Sequence, residues 1–172
     1  MELSDTAADE AFLLELLNST PIIDGVQQDE LDTAEAGRTW LRARGHSGSG
    51  GGWQEVRAGR EALQAVVRGH RQAGALAPLL DEVSYRPSVS DDGVRWRLDV
   101  PAGRAAVARA VLAWDALRRT RPGRLRPCEN PDCALFLIDR SKANRARWCS
   151  MAVCGNRMKA RRHYERTRNE SD

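Results

Sequence analysis

The sequence predicts a mainly α protein: a helical N-terminal domain with one β-hairpin, then a small C-terminal unit built on four cysteines, with a short hairpin and a basic helix. Three observations predict it. Apolar residues recur at helical spacing over most of residues 1–119, and the period changes to alternation only once, between residues 85 and 100. All four cysteines of the 172-residue chain fall between Cys128 and Cys154.

Residues 7–17 place Phe12, Leu13, Leu16 and Leu17 on one stripe, as in a helix packed on a core. Pro21 and Gly25 break that pattern. Thr33 then suits the N-cap of a second helix ending near Arg44, with Trp40 and Leu41 facing inward. The stretch 45–52, nearly all Gly and Ser around His46, predicts a loop. It lacks both the Walker Lys-Ser pair and a dinucleotide fingerprint.

Helical intervals resume over residues 53–72, where Trp53, Val56, Arg60, Leu63, Val67 and His70 share a stripe and His70 suits the helix C-terminus. A shorter helix is expected over 75–83, after the break at Gly74. Val94, Trp96, Leu98 and Val100 alternate with Arg95, Arg97 and Asp99, and Asp91-Asp92-Gly93 supplies a turn, which predicts a hairpin with one buried face. Residues 103–119 are alanine-rich, with Val107, Val111, Trp114 and Leu117 on one side of a predicted helix. Two prolines and a glycine in 120–127 predict a linker. The expected division is therefore a helical domain over 1–119, a linker over 120–127 and the cysteine unit over 128–168.

In that unit four residues lie between Cys128 and Cys133, four between Cys149 and Cys154, and fifteen between the pairs. Four thiolates at about 2.3 Å from one ion make the closed tetrahedral site of a structural zinc. The alternative is two disulfides, which the even count also allows. The N-terminal residues show no charged n-region or apolar h-region of a signal peptide, so a cytoplasmic protein with reduced thiols is expected. No run of eighteen apolar residues exists, so no membrane partner is expected.

Asn130-Pro131 marks a turn between the first two ligands. Residues 134–138 then read as a strand, 139–144 as a polar turn, 145–148 as a return strand and 155–168 as a helix, with Phe136 and Trp148 forming a small core. A unit of about 45 residues is too small to fold on apolar burial alone, so zinc would be part of its folding free energy.

The net charge of +3 conceals a strong asymmetry. Residues 1–37 hold ten acids and no Lys or Arg, whereas residues 118–168 hold fifteen bases against four acids. A field of that sign attracts polyanions. Arg157, Lys159, Arg161, Arg162 and Arg166 on the last helix, with Lys142, Arg145 and Arg147 in the turn, are the candidate nucleic-acid contacts. Asn156, Arg157 and Asp139 are candidates to support the metal ligands, with Arg157 pairing Asp139.

The runs Cys133-Ala134-Leu135-Phe136-Leu137-Ile138-Asp139-Arg140-Ser141, Arg147-Trp148-Cys149-Ser150-Met151 and Cys154-Gly155-Asn156-Arg157-Met158-Lys159 resemble the CGNR zinc finger of bacterial proteins, over residues 125–168. The tetrad that names the family stands here at Cys154 to Arg157. The resemblance implies an N-terminal domain of the ABATE type, described as a regulator of stress-induced transcription. Its apolar-Asn-Thr opening is echoed over residues 13–20, with Asn18 and an inserted Ser19.

The expectation is a zinc-dependent DNA-binding regulator whose helical domain senses a small-molecule effector or forms a homodimer. The alternative is an interaction module whose basic finger grips an acidic partner or the acidic N-terminal region. Catalysis is not expected: four thiolates fill the zinc shell, and His46, His70 and His163 lie in unrelated segments.

Overall fold

The computed structural model describes residues 6–46 and 52–169. The protein is mainly α. The order is α1 (Thr6–Leu17), β1 (Ile22–Ile23), β2 (Val26–Gln27), α2 (Ala34–Arg42), α3 (Gly52–Val67), a 3-10 helix (Ala73–Leu80), β3 (Ser84–Ser90), β4 (Gly93–Asp99) and α4 (Ala105–Thr120). Then come β5 (Leu125–Pro127), β6 (Phe136–Ile138), a π-helical turn (Met151–Gly155) and α5 (Asn156–Asn169). Most of the glycine-rich stretch, residues 47–51, lies outside the described residues.

The core forms where the apolar stripes meet. α1 packs along α4, and α3 lies across both, so Leu13, Leu16 and Leu17 meet Val107, Val111 and Leu117 with Val56 and Leu63 beside them. Thr33 caps α2 by accepting a hydrogen bond from the Ala36 N–H at 3.2 Å. α3 ends in a Schellman motif: Gly69 takes the left-handed conformation, its N–H donates to Val66 O, and the His70 N–H donates to Ala65 O. His70 therefore lies past the helix.

Arg60 is an expected stripe residue that turns out to be 2% exposed. Its guanidinium grips both Asp29 carboxylate oxygens, at 2.5 and 2.8 Å, and the Ser19 hydroxyl at 3.2 Å. Burial acts to raise the Asp29 carboxyl, but the hydrogen bonds from Arg60 and the Leu31 N–H, with the charges of Arg60 and Arg57, together outweigh it and hold the group below its usual value. Gln64, one turn on, donates to Leu17 O and to the Thr20 hydroxyl. This polar seam fixes the loop after α1, where Asp24 and Gly25, both at positive φ, turn the short β1–β2 hairpin.

Two expectations need correction. The segment after Gly74 is 3-10 rather than a regular α-helix over 75–83; it contains Pro78, whose missing N–H cannot join an α-helical ladder. The β3–β4 hairpin forms in the expected place, but its apolar face is not buried. The register sets Tyr85 against Leu98, Pro87 against Trp96 and Val89 against Val94, yet Val89 is 82% and Val94 60% exposed; only Leu98 reaches the core boundary. Alternation assigns side chains to faces, and here the helices have already filled the core that would cover this face.

The cysteine unit is joined to the helical body rather than strung from it. The 120–127 segment, expected as a linker, holds β5, which pairs with β6 in the register Leu125–Ile138, Arg126–Leu137 and Pro127–Phe136. Residues 145–148, expected as the return strand, form no strand; Leu125–Pro127 takes that place. Phe136 and Ile138 enter the core of the body. The Asn18 side chain completes the joint as a strand neighbour would: its Oδ1 accepts from the Phe136 N–H at 2.7 Å and its Nδ2 donates to Phe136 O at 3.2 Å. Arg68 donates to Ala134 O at 2.8 Å and lies over the Phe136 ring.

A close approach of α3 to α4 offers a test of the packing. A Cβ added at Gly59 would overlap Val107 Cγ2, on a buried branched side chain with little room to turn. Gly59→Ala is expected to destabilise the protein by about 1–3 kcal/mol in urea unfolding, despite alanine's better helix propensity.

Candidate metal centre

Four short segments bring the thiols together. Cys128 follows β5, and its N–H donates to Leu135 O at 2.8 Å. Asn130 makes the first knuckle turn: its Oδ1 accepts from the Asp132 N–H, and its carbonyl accepts from the Cys133 N–H. Glu129 N donates to Arg147 O, which draws the chain before Cys149 alongside. Ser150 caps the π turn by accepting from Val153 N, and the turn delivers Cys154 to the N-terminal end of α5.

The four Sγ atoms all lie within 4.8 Å of one another. A tetrahedron with Zn–S bonds of about 2.3 Å has edges of about 3.8 Å. Cys133–Cys149 and Cys149–Cys154 both stand at 3.7 Å. The thiols are free, and those separations far exceed an S–S bond of about 2.0 Å, so the disulfide alternative is excluded. The arrangement fits one structural zinc ion with all four positions filled by sulfur.

Burial pushes the Cys133 thiol up to about 11 and moves Cys149 upward as well, and neighbouring sulfurs add to both. Burial opposes ionisation of Cys154 too, but the hydrogen bond from Asn130 and those from the other thiols outweigh it and lower that group. Four thiolates this close need a cation. Zinc would therefore displace protons on entry, which couples affinity to pH.

The residues expected to support the ligands are only partly placed there. Asn156 Nδ2 donates to Ala152 O at 3.2 Å, bracing the π turn and not a sulfur. Arg157 is exposed and does not pair with Asp139. Arg126 takes that position at 2.7 Å from the carboxylate, because the β5–β6 register carries it there. Asp139 also accepts from the N–H groups of Ser141 and Ala146 at 2.8 Å each, which closes the loop from β6 toward Cys149. The residue missed was Asn130. It is 1% exposed and donates to Cys154 Sγ at 3.4 Å, while the Cys149 N–H donates to Cys128 Sγ at 3.4 Å. Its signal was present in the Asn-Pro turn, which could have been read as an Asx turn facing a ligand. Gly155 sits where a Cβ would come within 2.8 Å of the Met151 side chain and 3.1 Å of Trp148 Cδ1, so the tetrad's glycine lets the start of α5 lie against both.

The candidate nucleic-acid contacts divide by engagement. Arg147 pairs with Glu129 at 2.5 Å and lies over Trp148, and Arg161 pairs with Glu165 at 3.1 Å. Lys142, Arg145, Arg157, Lys159, Arg162 and Arg166 are exposed and make no ion pair among the described residues. Arg168, beyond the predicted set, joins them.

Two measurements test this construction. Asn130→Ala is expected to weaken zinc affinity by about 10–100-fold in chelator competition, as loss of a ligand's hydrogen-bonding partner does elsewhere. For Asp139, hydrogen bonds from Ser141 come first in holding the folded carboxyl at about 2 against burial, below the ordinary 3.8. A depressed folded value gives stability above about pH 4 that is lost as the pH falls toward 2. Asp139→Asn should therefore melt below the parent protein at pH 7, with the gap closing between pH 4 and 2.

In a comparison with known families, the CGNR zinc finger model matches residues 124–167. A comparison with curated proteins finds no match. The matched segment takes in β5, β6, all four cysteines and all but the last two residues of α5. Residues 124–167 are thus similar to a CGNR zinc finger, and their four thiols form a site for one structural zinc ion.

Proposed function

We propose that this chain is a zinc-dependent DNA-binding transcription regulator, with α5 contacting the duplex and the helical body sensing a signal or forming a homodimer. The observation that carries the reading is the state of α5. Every residue from 159 to 168 is exposed, and among the described residues the helix packs mainly against the π turn that ends the zinc site. A solvated helix of this length is marginal in water, and clustered cations repel one another along it. A polyanion removes that repulsion, and a helix held at one end by a metal can enter a major groove.

The interaction-module reading, in which the acidic N-terminal region covers the finger, has less support. Asp9, Glu15 and Asp29 pair with Arg109, Arg44 and Arg60 of the helical body, and Glu10 pairs with Arg121 and Arg140 beside the joint. These acids are engaged away from α5. A closed four-thiolate shell also leaves no ligand position for water, which favours a binding protein over a catalyst. A cytoplasmic setting fits reduced thiols, and no helix among the described residues is long and apolar enough to cross a membrane.

Fluorescence anisotropy of zinc-loaded protein on a labelled duplex tests the proposal. Binding should weaken steeply with salt, and Arg162→Ala or Arg166→Ala should each reduce the slope of log K against log salt by about one. Arg161→Ala should change it less, because Glu165 already engages that side chain. Chelation of zinc should abolish binding. Absence of any salt-sensitive binding at low ionic strength would sink the proposal.

A further inference from the structure

We propose that the crevice where the C-terminal ends of α3 and α4 meet the start of β5 binds a small apolar carboxylate. The crevice encloses about 200 Å³. Its walls are Val66, Val67, Trp114 and Leu125, all half-buried side chains packed at the edge of the core, with Leu117 at its base. Arg118 and Arg121 stand in the lining, and no carboxylate does. Apolar walls with a few convergent polar groups are the usual make-up of a small-molecule site.

Charge selects the ligand class. The carbonyl ends of two helices meet nearby and together favour a cation, but each carries only about half a unit of charge, and the last turn of α4 is partly capped by the Arg121 N–H donating to Leu117 O. Against them stand two guanidinium groups, each paired with a carboxylate outside the lining, Arg118 with Asp115 and Arg121 with Glu10, and an incoming carboxylate can take the place of either partner. Arg118 is available: it is 58% exposed, and its pair with Asp115, one turn back at 2.9 Å, is of the surface kind that contributes little. Arg121 is engaged by Glu10, whose carboxylate also faces Arg140 at 3.8 Å. An anion beside Arg121 therefore competes with Glu10 and alters its hold on the finger. Leu125 carries the same message, since it is both a wall of the crevice and the first residue of the strand that pairs with β6. This consequence rests on the regulator reading; the binding itself does not.

The test is calorimetric titration of full-length, zinc-loaded protein with 2-naphthoate, without DNA, against 2-naphthol as its neutral counterpart. One saturable site is expected, with the naphthol at least tenfold weaker, and Arg118→Gln should erase that difference. Val67→Trp, which fills the crevice, should abolish binding, whereas Val89→Ser on the exposed hairpin should leave it unchanged. Methyl NMR of the unaltered protein keeps the test independent of that variant's folding: the Val66 and Val67 methyls should shift on addition of naphthoate. No saturable heat, equal affinity for the two probes, or shifts confined to the β3–β4 hairpin would overturn the proposal. Saturable naphthoate binding by a protein that never binds DNA would uphold the site and remove the regulator reading instead.

Discussion

Four sulfurs held within 4.8 Å of one another are a constraint that the polypeptide cannot satisfy alone as thiolates. Like charges at that spacing keep protons until a cation arrives, and one divalent ion with four ligands resolves the conflict. The same ion fixes geometry well beyond its ligands. Cys154 stands at the entrance to α5, and α5 has no other substantial packing, so the direction in which its cations point is set by the metal and the π turn. A π turn at such a place is a familiar sign of function, since it re-aims the chain without ending the helix.

The other half of the finger answers to a different force. Phe136 and Ile138 are buried among residues of the helical body, and Asn18 pairs with the Phe136 backbone as a strand would. Removing the metal would leave that hairpin's burial in place while releasing the loop and α5. The joint is therefore apolar and hydrogen-bonded, whereas the tip is metal-held. A change in the body meets the finger at β5, β6, the Ala134 carbonyl and Arg140, and from there it reaches α5 through the cysteine loops.

The sequence made the helices of the body legible because each buries one stripe, and Thr33 marks an end by a local rule that needs no tertiary knowledge; the periodicity ran α3 on to residue 72, past the Schellman turn at Gly69 that ends it. The cysteine cluster was legible for a chemical reason: sulfur spacing survives whatever strands surround it. What stayed hidden was non-local. The partner of β6 lay in a proline-flanked stretch that reads as a linker, and only pairing with Phe136 to Ile138 makes Leu125–Pro127 a strand. Arg126 then captures Asp139, a pairing that no spacing rule assigns over Arg157. The open face of the β3–β4 hairpin was hidden similarly, since a period of two says which residues share a face and nothing about what covers it. Asn18 was noticed as a motif residue, but its bidentate grip on a backbone 118 residues away belongs to the folded state alone.

The charge asymmetry takes on a physical sense once these contacts are known. Acids in the first third of the chain pair with arginines of the body, including Asp29 with the buried Arg60, a pair whose rupture would take from that guanidinium its bidentate partner. The C-terminal third has no comparable supply of acids: Asp139 is tied to Arg126, Glu129 to Arg147 and Glu165 to Arg161. Of its remaining cations, Lys142 and Arg145 stay in water on the loop after β6, and Arg157, Lys159, Arg162, Arg166 and Arg168 on α5 beyond the π turn. Composition alone explains a preference for arginine, but not why acids are concentrated at one end and sparse at the other. Glu10 is the exception that joins the two regions, since it faces Arg121 at the end of α4 and Arg140 at the end of β6. A single carboxylate shared between two cations can be drawn toward either, so this electrostatic link between body and finger can be redistributed by a competing anion.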